Sequence, residues 1–395
     1  MNTSEIQHFS LNRILLLSVG LWPYNQSKLV SLQQILLFGI QISFVIYQVI
    51  ICFITEFTTS LAITICSIIL FYTIFLIKYN SFLINGQAVK YLLEQFIHVC
   101  NELKDENEID VMKRYASTTK RYTTRLILVF VSLPIGMLMT MWPYILNIVA
   151  PRNESRSNFW ISFLTEHFAN KNKYRYLMLL YANATFCIGS ITVLATGTML
   201  IGYIKYACGM FRIASYRIKQ ALTINKTHKS FKNEIMIHKE IICAMDVHRQ
   251  AMKMCKYFTY NFNGTFFMLV IVGVIILSLN LYRIFQCVSD KSDKQELILH
   301  VEIVIISLVY MFIANYIAQE ITDHNNHVFI TVYNGHWYVA PLHIQKIILF
   351  LLQVGNKTFG LSCGGLFTGS LYTFATVRNI LITIKYTGCV IKINN

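Results

Sequence analysis

Long apolar runs alternate with polar, basic stretches along the chain, and seven of the runs have membrane-spanning length: residues 33–54, 61–77, 126–149, 176–204, 258–285, 297–318 and 366–390. A hydrocarbon layer about 30 Å thick needs roughly 20 apolar residues when each rises about 1.5 Å along a helix. Each run reads as a helix, because backbone facing lipid must satisfy its hydrogen bonds inside its own segment. The pattern predicts an all-α membrane protein with seven transmembrane helices.

The stretches between the runs carry helical spacing of their own. Within 205–256, Ile235, Ile242, Met245, Met252 and Cys255 recur among charges, so the flanking helices are expected to continue out of the bilayer and pack on one another. Val332, Trp337, Leu342, Ile347, Phe350 and Leu351 mark an amphipathic segment, with a helix expected over 324–353 ahead of a glycine-rich turn and the last run. Near the N-terminus, the apolar stretch Ile14 to Leu21 is too short to span. It is followed by Trp22-Pro23 and has no small-residue cleavage site, which predicts an interfacial amphipathic helix, not a cleaved signal. Four regions follow: a cytoplasmic lead-in (1–32), six spans with long cytoplasmic loops (33–318), a cytoplasmic helix and glycine-rich turn (319–365), and the seventh helix with a short outer tail (366–395).

Composition supports the membrane reading, with 55% hydrophobic and 13% charged residues. The net charge of +15 does not indicate nucleic acid, since the basic residues sit in loops between spans, where an anionic cytoplasmic leaflet attracts them. Arg13 and Lys28 precede the first span and no Lys or Arg lies between Thr55 and Ser60, which places the N-terminus in the cytoplasm and, after seven spans, the C-terminus outside. Lys and Arg then total 23 inside and 8 outside, although the inner segments are also much longer.

Few side chains suggest chemistry. The ten cysteines show no CxxC pair and lie mostly in spans or basic loops, so neither a disulfide scaffold nor a zinc site is expected. Asp323-His324-Asn325-Asn326-His327 offers two histidines at acceptable metal-ligand spacing, but no second cluster completes it, and it reads as a polar helix boundary. Gly355-Asn356-Lys357-Thr358 lacks the upstream glycine and the strand of a phosphate loop. Gly360, Gly364, Gly365 and Gly369 make overlapping GxxxG spacings, which fit close helix packing or a break between two helical halves. Among the sequons, Asn153-Glu154-Ser155 alone falls on the expected outer face and is the candidate glycosylation site. No catalytic constellation, metal site or cofactor motif is found, which makes a non-enzyme the expectation.

Two ends of the chain resemble a known family. Tyr333, Trp337-Tyr338, Gln345-Lys346, the run Leu349 to Gln353, the small-residue turn Leu361 to Gly365, and Leu371 with Phe374 resemble the C-terminal signature of insect odorant receptors. Leu11 to Tyr24 is similar to the lead-in of such receptors, especially hymenopteran ones. The resemblance implies the odorant-specific subunit of a ligand-gated, non-selective cation channel in the plasma membrane of a sensory neuron dendrite, assembled as a tetramer with the odorant receptor co-receptor. It implies a pore lined by the last helix, with Leu381, Lys385 and Tyr386 as candidates, and a cytoplasmic assembly platform that includes Tyr333, Trp337 and Tyr338. It also implies a volatile-binding pocket among spans two, three, four and six. These spans carry Phe71, Tyr72, Met139, Trp142, Tyr181, Phe186 and Tyr310, which read as an outer-half aromatic and sulfur-rich set. Tyr72, Tyr181, Thr185 and Tyr310 are the candidate polar contacts in an otherwise apolar wall. Single aromatics in membrane helices are more often packing or interface anchors.

Where family members usually carry a Ser before a Tyr near the end of the last span, this chain has Lys385 before Tyr386, with Arg378 seven residues earlier. The loop after span four is too short for the co-receptor itself. Three other classes fit less well. A gustatory receptor would carry Gln-Phe in the last helix. A G-protein-coupled receptor would carry Asp-Arg-Tyr after span three and Asn-Pro-x-x-Tyr in span seven. A transporter would show an internal repeat.

Overall fold

The computed structural model describes residues 9–54, 59–149, 175–227, 231–289, 294–355, 359–365 and 367–379. Helices follow one another almost without interruption. They are α1 (Ser10–Ser18), α2 (Lys28–Ile54), α3 (Thr59–Ile84), α4 (Gly86–Glu102), α5 (Glu106–Val149), α6 (Arg175–Thr227), α7 (Phe231–Ser289), α8 (Lys294–Asn334) and α9 (Leu342–Gly355). Two short strands, β1 (Ser362–Cys363) and β2 (Phe367–Thr368), and a helical stretch over 371–379 complete the described chain. Among the described residues, five helices are long and apolar enough to cross a membrane: α2, α3, α6, α7 and α8. The third expected span lies within α5, whose side chains beyond residue 132 fall outside the description, and the seventh is described only to residue 379.

Helix α6 is the axis of the fold and packs against α1, α2, α3, α5, α7 and α8. It supplies Ala195, Met199, Cys208, Met210, Phe211, Ile213 and Ala221 to the largest core, all fully buried. Tyrosines fasten neighbours to this axis: Tyr203 donates to the Val89 carbonyl at 2.7 Å and Tyr206 to that of Phe96 at 3.3 Å, holding α4 in place. Helix α4 turns Val89, Leu92, Leu93, Phe96 and Val99 inward at three- and four-residue spacing. Asp105 starts α5 by accepting the Asn107 N–H at 2.9 Å, and Glu106 and Glu108 fill the first turn, where a carboxylate suits the helix dipole.

Several expectations are corrected. The amphipathic helix near the N-terminus forms as α1, and part of its apolar face packs on α6 and α5 while Ile14 stays exposed. Leu16 is fully buried, and Phe9 packs on Gly202, where a Cβ would stand 2.7 Å from the ring. Helices α6 and α7 do continue far beyond the apolar runs, and the packing face of α7 is partly the expected one, with Cys255 buried and Met245 and Met252 packed on the core. Ile237, Ile241, Ala244, His248, Ala251 and Cys255 are buried, whereas Ile235 and Ile242 are exposed. The segment 324–353 is not one helix. α8 ends at Asn334, where the Gly335 N–H bonds back to Thr331 and Val332, and a 3-10 turn at Trp337–Val339 leads to Pro341 and α9.

The Asp323 to His327 stretch is the interior of α8 and not a boundary. His324 bonds the Tyr115 hydroxyl at 2.6 Å, Asn325 bonds His248 at 3.0 Å, and His327 accepts from Arg212 at 2.9 Å, so one turn of α8 ties together α5, α7 and α6. Two charge pairs reinforce this end: Lys205 reaches both Glu320 carboxylate oxygens at 2.6 Å, and Arg217 grips Glu108 through two bonds of 2.5 and 2.8 Å.

The glycine-rich segment is a hairpin. β1 and β2 pair antiparallel, Ser362 with Thr368 and Cys363 with Phe367, and Gly364 and Gly365 take positive φ of 64° and 71° in the turn between them. The Gly364 N–H donates to the Asn263 side chain at 2.6 Å, which pins the turn to α7. Gly369 does allow close packing, since a Cβ there would stand 2.6 Å from that of Ala318.

Candidate functional site

The aromatic residues of α3 and α6 meet in one cluster, joined by two rings that the sequence reading did not select, Phe44 of α2 and Phe75 of α3. Phe71 and Tyr72 stand at the middle of α3, and Phe75 lies one turn further on. Phe44 contacts Tyr72 at 4.5 Å between centroids and Tyr181 at 5.5 Å, Tyr72 contacts Phe75 at 5.4 Å, and Phe71 stacks on Phe186 at 6.4 Å. Tyr310 of α8 borders the cluster, and the Lys78 ammonium lies over its ring at 5.5 Å. The arrangement brings together Phe71, Tyr72, Tyr181, Phe186 and Tyr310. Met139 and Trp142 lie on α5, with side chains outside the described residues.

The cluster forms because α3 and α6 approach closely. Gly189 has no side chain to hold Phe75 away, and a Cβ built there would stand 2.0 Å from the ring. Such edge-on and offset ring pairs add about 0.5–1.5 kcal/mol each beyond the area they bury.

Of the four polar groups expected to face a ligand, Tyr72, Tyr181 and Thr185 are engaged within the protein. Tyr72 donates to the Ala182 carbonyl at 3.4 Å, and Tyr181 shares a 2.6 Å bond with Ser43 and reaches the Ile40 carbonyl at 3.2 Å. The Thr185 hydroxyl turns onto its own helix, 2.8 Å from the Ala182 carbonyl. Among the described residues, the fully buried unengaged polar atoms beside the cluster belong to Gln41 and Gln48 of α2. Sequence reasoning missed them because it sought aromatic residues. The available signal was two amides at helical spacing around Phe44 in an otherwise apolar span.

A second polar group lies where α3, α7 and α8 meet. Arg283 pairs with Glu296 and also bonds Gln286 at 2.6 Å, while the buried His300 bonds Asn280 at 2.7 Å and stands 3.5 Å from the Thr64 hydroxyl. Each of these side chains has a partner, although the Arg283 Nε–H is left unpaired, and we read the group as a structural lock.

The remaining candidates divide in two. Tyr333 and Tyr338 are exposed, and Trp337 packs partly on the main core beside them. Gln345 donates to the Tyr338 and Ala340 carbonyls at 2.9 and 2.7 Å and so holds the 3-10 turn that presents this group. Leu381, Lys385, Tyr386 and Asn153 lie outside the described residues. The start of the final helix is described. Ser370 caps it by accepting the Thr373 N–H at 3.1 Å, Phe374 meets Phe312 at 5.4 Å, and Val377 packs on α7 and α8.

A family model described as 7tm odorant receptor matches residues 53–381. Among solved structures, the chain is similar to the insect olfactory receptor OR5 from Machilis hrabei in complex with eugenol. The TM-score is 0.74 at 13% identity, over 96% of this chain and 97% of that one. A second structure of the same receptor gives a TM-score of 0.73 at 13% identity and the same coverage. No curated protein matches the chain.

Proposed function

This chain belongs to the 7tm odorant receptor family, and from that premise we propose that it is the odorant-specific subunit of a ligand-gated, non-selective cation channel. The observation that carries the reading is the aromatic cluster on α2, α3, α6 and α8, within a fold similar to that of a receptor whose structure holds eugenol. A volatile is small and apolar. It gains affinity from wide aromatic contact with one or two polar groups to orient it, and this cluster supplies that combination.

In this reading a volatile enters among Phe71, Tyr72, Tyr181, Phe186 and Tyr310, with Met139 and Trp142 of α5 completing the wall. Binding wedges α3 and α6 against α8. The final helix is coupled to that movement through Phe374 on Phe312 and Val377 on the α7–α8 seam. The chain crosses the bilayer seven times with its N-terminus inside and its C-terminus outside. Leu381 and Tyr386 face the pore, Lys385 stands at its outer rim and extends to the headgroups, and Asn153 is glycosylated on the outer face. Tyr333, Trp337 and Tyr338 meet neighbouring subunits, including the odorant receptor co-receptor, in the dendritic membrane of a sensory neuron. Their exposure supports that role, because exposed aromatics on a rigid turn suit an interface.

The test is current recording from cells expressing this chain with and without the co-receptor during exposure to a broad volatile panel. Volatile-evoked cation current that requires both chains is the expected result. Current from this chain alone would point to a homomeric channel, and silence beside a responding control receptor would overturn the reading.

A further inference from the structure

The buried face of α2 is formed by Gln41, Phe44, Gln48 and Ile51, which fall on one stripe at helical spacing. Two of the four are amides. The Gln48 side chain is fully buried, and neither its Nε2 nor its Oε1 has a hydrogen-bond partner. Gln41 is nearly as isolated, with its Nε2 3.5 Å from the Thr185 carbonyl and its Oε1 unpartnered. Phe44, one turn from Gln48, is the ring that joins Tyr72 to Tyr181. An amide in apolar surroundings with no neighbour to pair with is strongly unfavourable. Gln48 has no route to the headgroups because its whole side chain is enclosed.

We propose that Gln48 is the polar contact for the ligand, and that the ligand is therefore a volatile bearing a hydroxyl group. This rests on the odorant-gated reading above and names its ligand class. The amide presents N–H donors and a carbonyl acceptor side by side, and a hydroxyl is the smallest group that accepts from the first while donating to the second. An ether or ester oxygen accepts only and leaves Oε1 bare. A hydrocarbon satisfies neither atom. The hydroxyls of Tyr72 and Thr185 already donate to a backbone carbonyl and that of Tyr181 is shared with Ser43, so without breaking a bond they could only accept from a ligand, and Tyr310 is only half-buried. Gln48 has none to break.

The experiment uses the full-length chain expressed with the co-receptor and a volatile panel that includes chain-matched sets of a primary alcohol, its methyl ether and the alkane. The alcohol should open the channel at about tenfold lower concentration than its ether or alkane, the worth of one or two hydrogen bonds. Gln48→Met, which nearly keeps the volume, should raise the half-maximal alcohol concentration by roughly tenfold, raise that of the ether by less, about threefold, and leave the alkane within about twofold. Equal shifts for alcohol and ether, or no shift for either, overturn the proposal and assign Gln48 to packing or to a buried water. So does a wild-type channel opened only by volatiles without a hydroxyl. If no volatile opens the wild-type pair while a control receptor responds, the odorant-gated reading itself falls, and this inference with it. Should the variant not reach the surface, thermal melting of the purified wild-type receptor decides. Stabilisation by the alcohol beyond its ether supports the assignment, and equal or absent stabilisation overturns it.

Discussion

Phe75 rests directly on Gly189, so that α3 and α6 touch at the centre of the aromatic cluster with no Cβ between them: one built at 189 would stand 2.0 Å from the ring. Gly189→Ala should force the ring or the helix aside and lower stability by about 1–3 kcal/mol. Gly189→Ala combined with Phe75→Leu should recover part of that loss, because the two changes share one contact. Melting of the detergent-solubilised receptor for the four members of this cycle checks it, and simple additivity would refute the contact.

The Lys205–Glu320 pair is enclosed, with side chains 4% and 18% exposed, and Lys205 also lies over the Tyr122 ring at 4.7 Å. Removing one partner leaves the other charge buried. Lys205→Met or Glu320→Gln should each cost about 3–5 kcal/mol, while Lys205→Met with Glu320→Leu should cost much less than the sum. Thermal unfolding of the three variants is the measurement.

Tyr115, outside the expected spans, is pushed up to about 12 from 10.0, chiefly by burial, with Cys208 and Glu320 adding to the rise and Arg212 opposing it. Between these values the unfolded chain loses the phenol proton and the folded chain keeps it. The contribution to stability is therefore complete below about pH 10 and falls as pH rises toward 12. Tyr115→Phe should flatten this alkaline loss. At about pH 8 it should cost roughly 1 kcal/mol, the worth of the 2.6 Å bond to His324. Unfolding curves across that pH range for both proteins test the point.

For the topology, Asn153→Gln should remove glycan and no other sequon change should do so. Asn263 is already committed to the hairpin turn through Gly364. A mobility shift on glycosidase treatment reads the outcome, and glycan at Asn225 would reverse the orientation.

Lys385→Ser, in cells also expressing the co-receptor, asks whether the cation lies in the conduction path. A positive charge on the pore wall opposes cation flow, whereas a lysine near a helix end extends to the headgroups. We expect the second arrangement, and hence unchanged single-channel conductance and calcium permeability. A clear rise in either would place Lys385 in the pore.

The helices and the family were legible in the chain itself. Membrane length, the 3.6-residue period and the signature around Tyr333, Trp337-Tyr338 and Gln345 are local properties, set by residues close together in sequence. They survive any arrangement of the helices, which is why α2, α3, α6, α7 and α8 appear where apolar runs were read. Which face of a helix is buried depends on its neighbours. The amphipathic stripe of α1 does not by itself say that α6 covers Leu16 and leaves Ile14 exposed. The face of α7 turned toward Ile237 and Ile241 because α6 and α8 approach from that side. Gly364 and Gly365 could not be told from a helix-packing motif until strand pairing gave them positive φ. The candidate site divides in the same way. Aromatic residues announce themselves by type, but that Tyr72, Tyr181 and Thr185 spend their hydroxyls internally while Gln48 has none of its bonds made is a property of three-dimensional pairing. Hydrogen-bond partners are settled between segments as much as 236 residues apart, as Thr64 and His300 are, and only tertiary packing brings such atoms within reach.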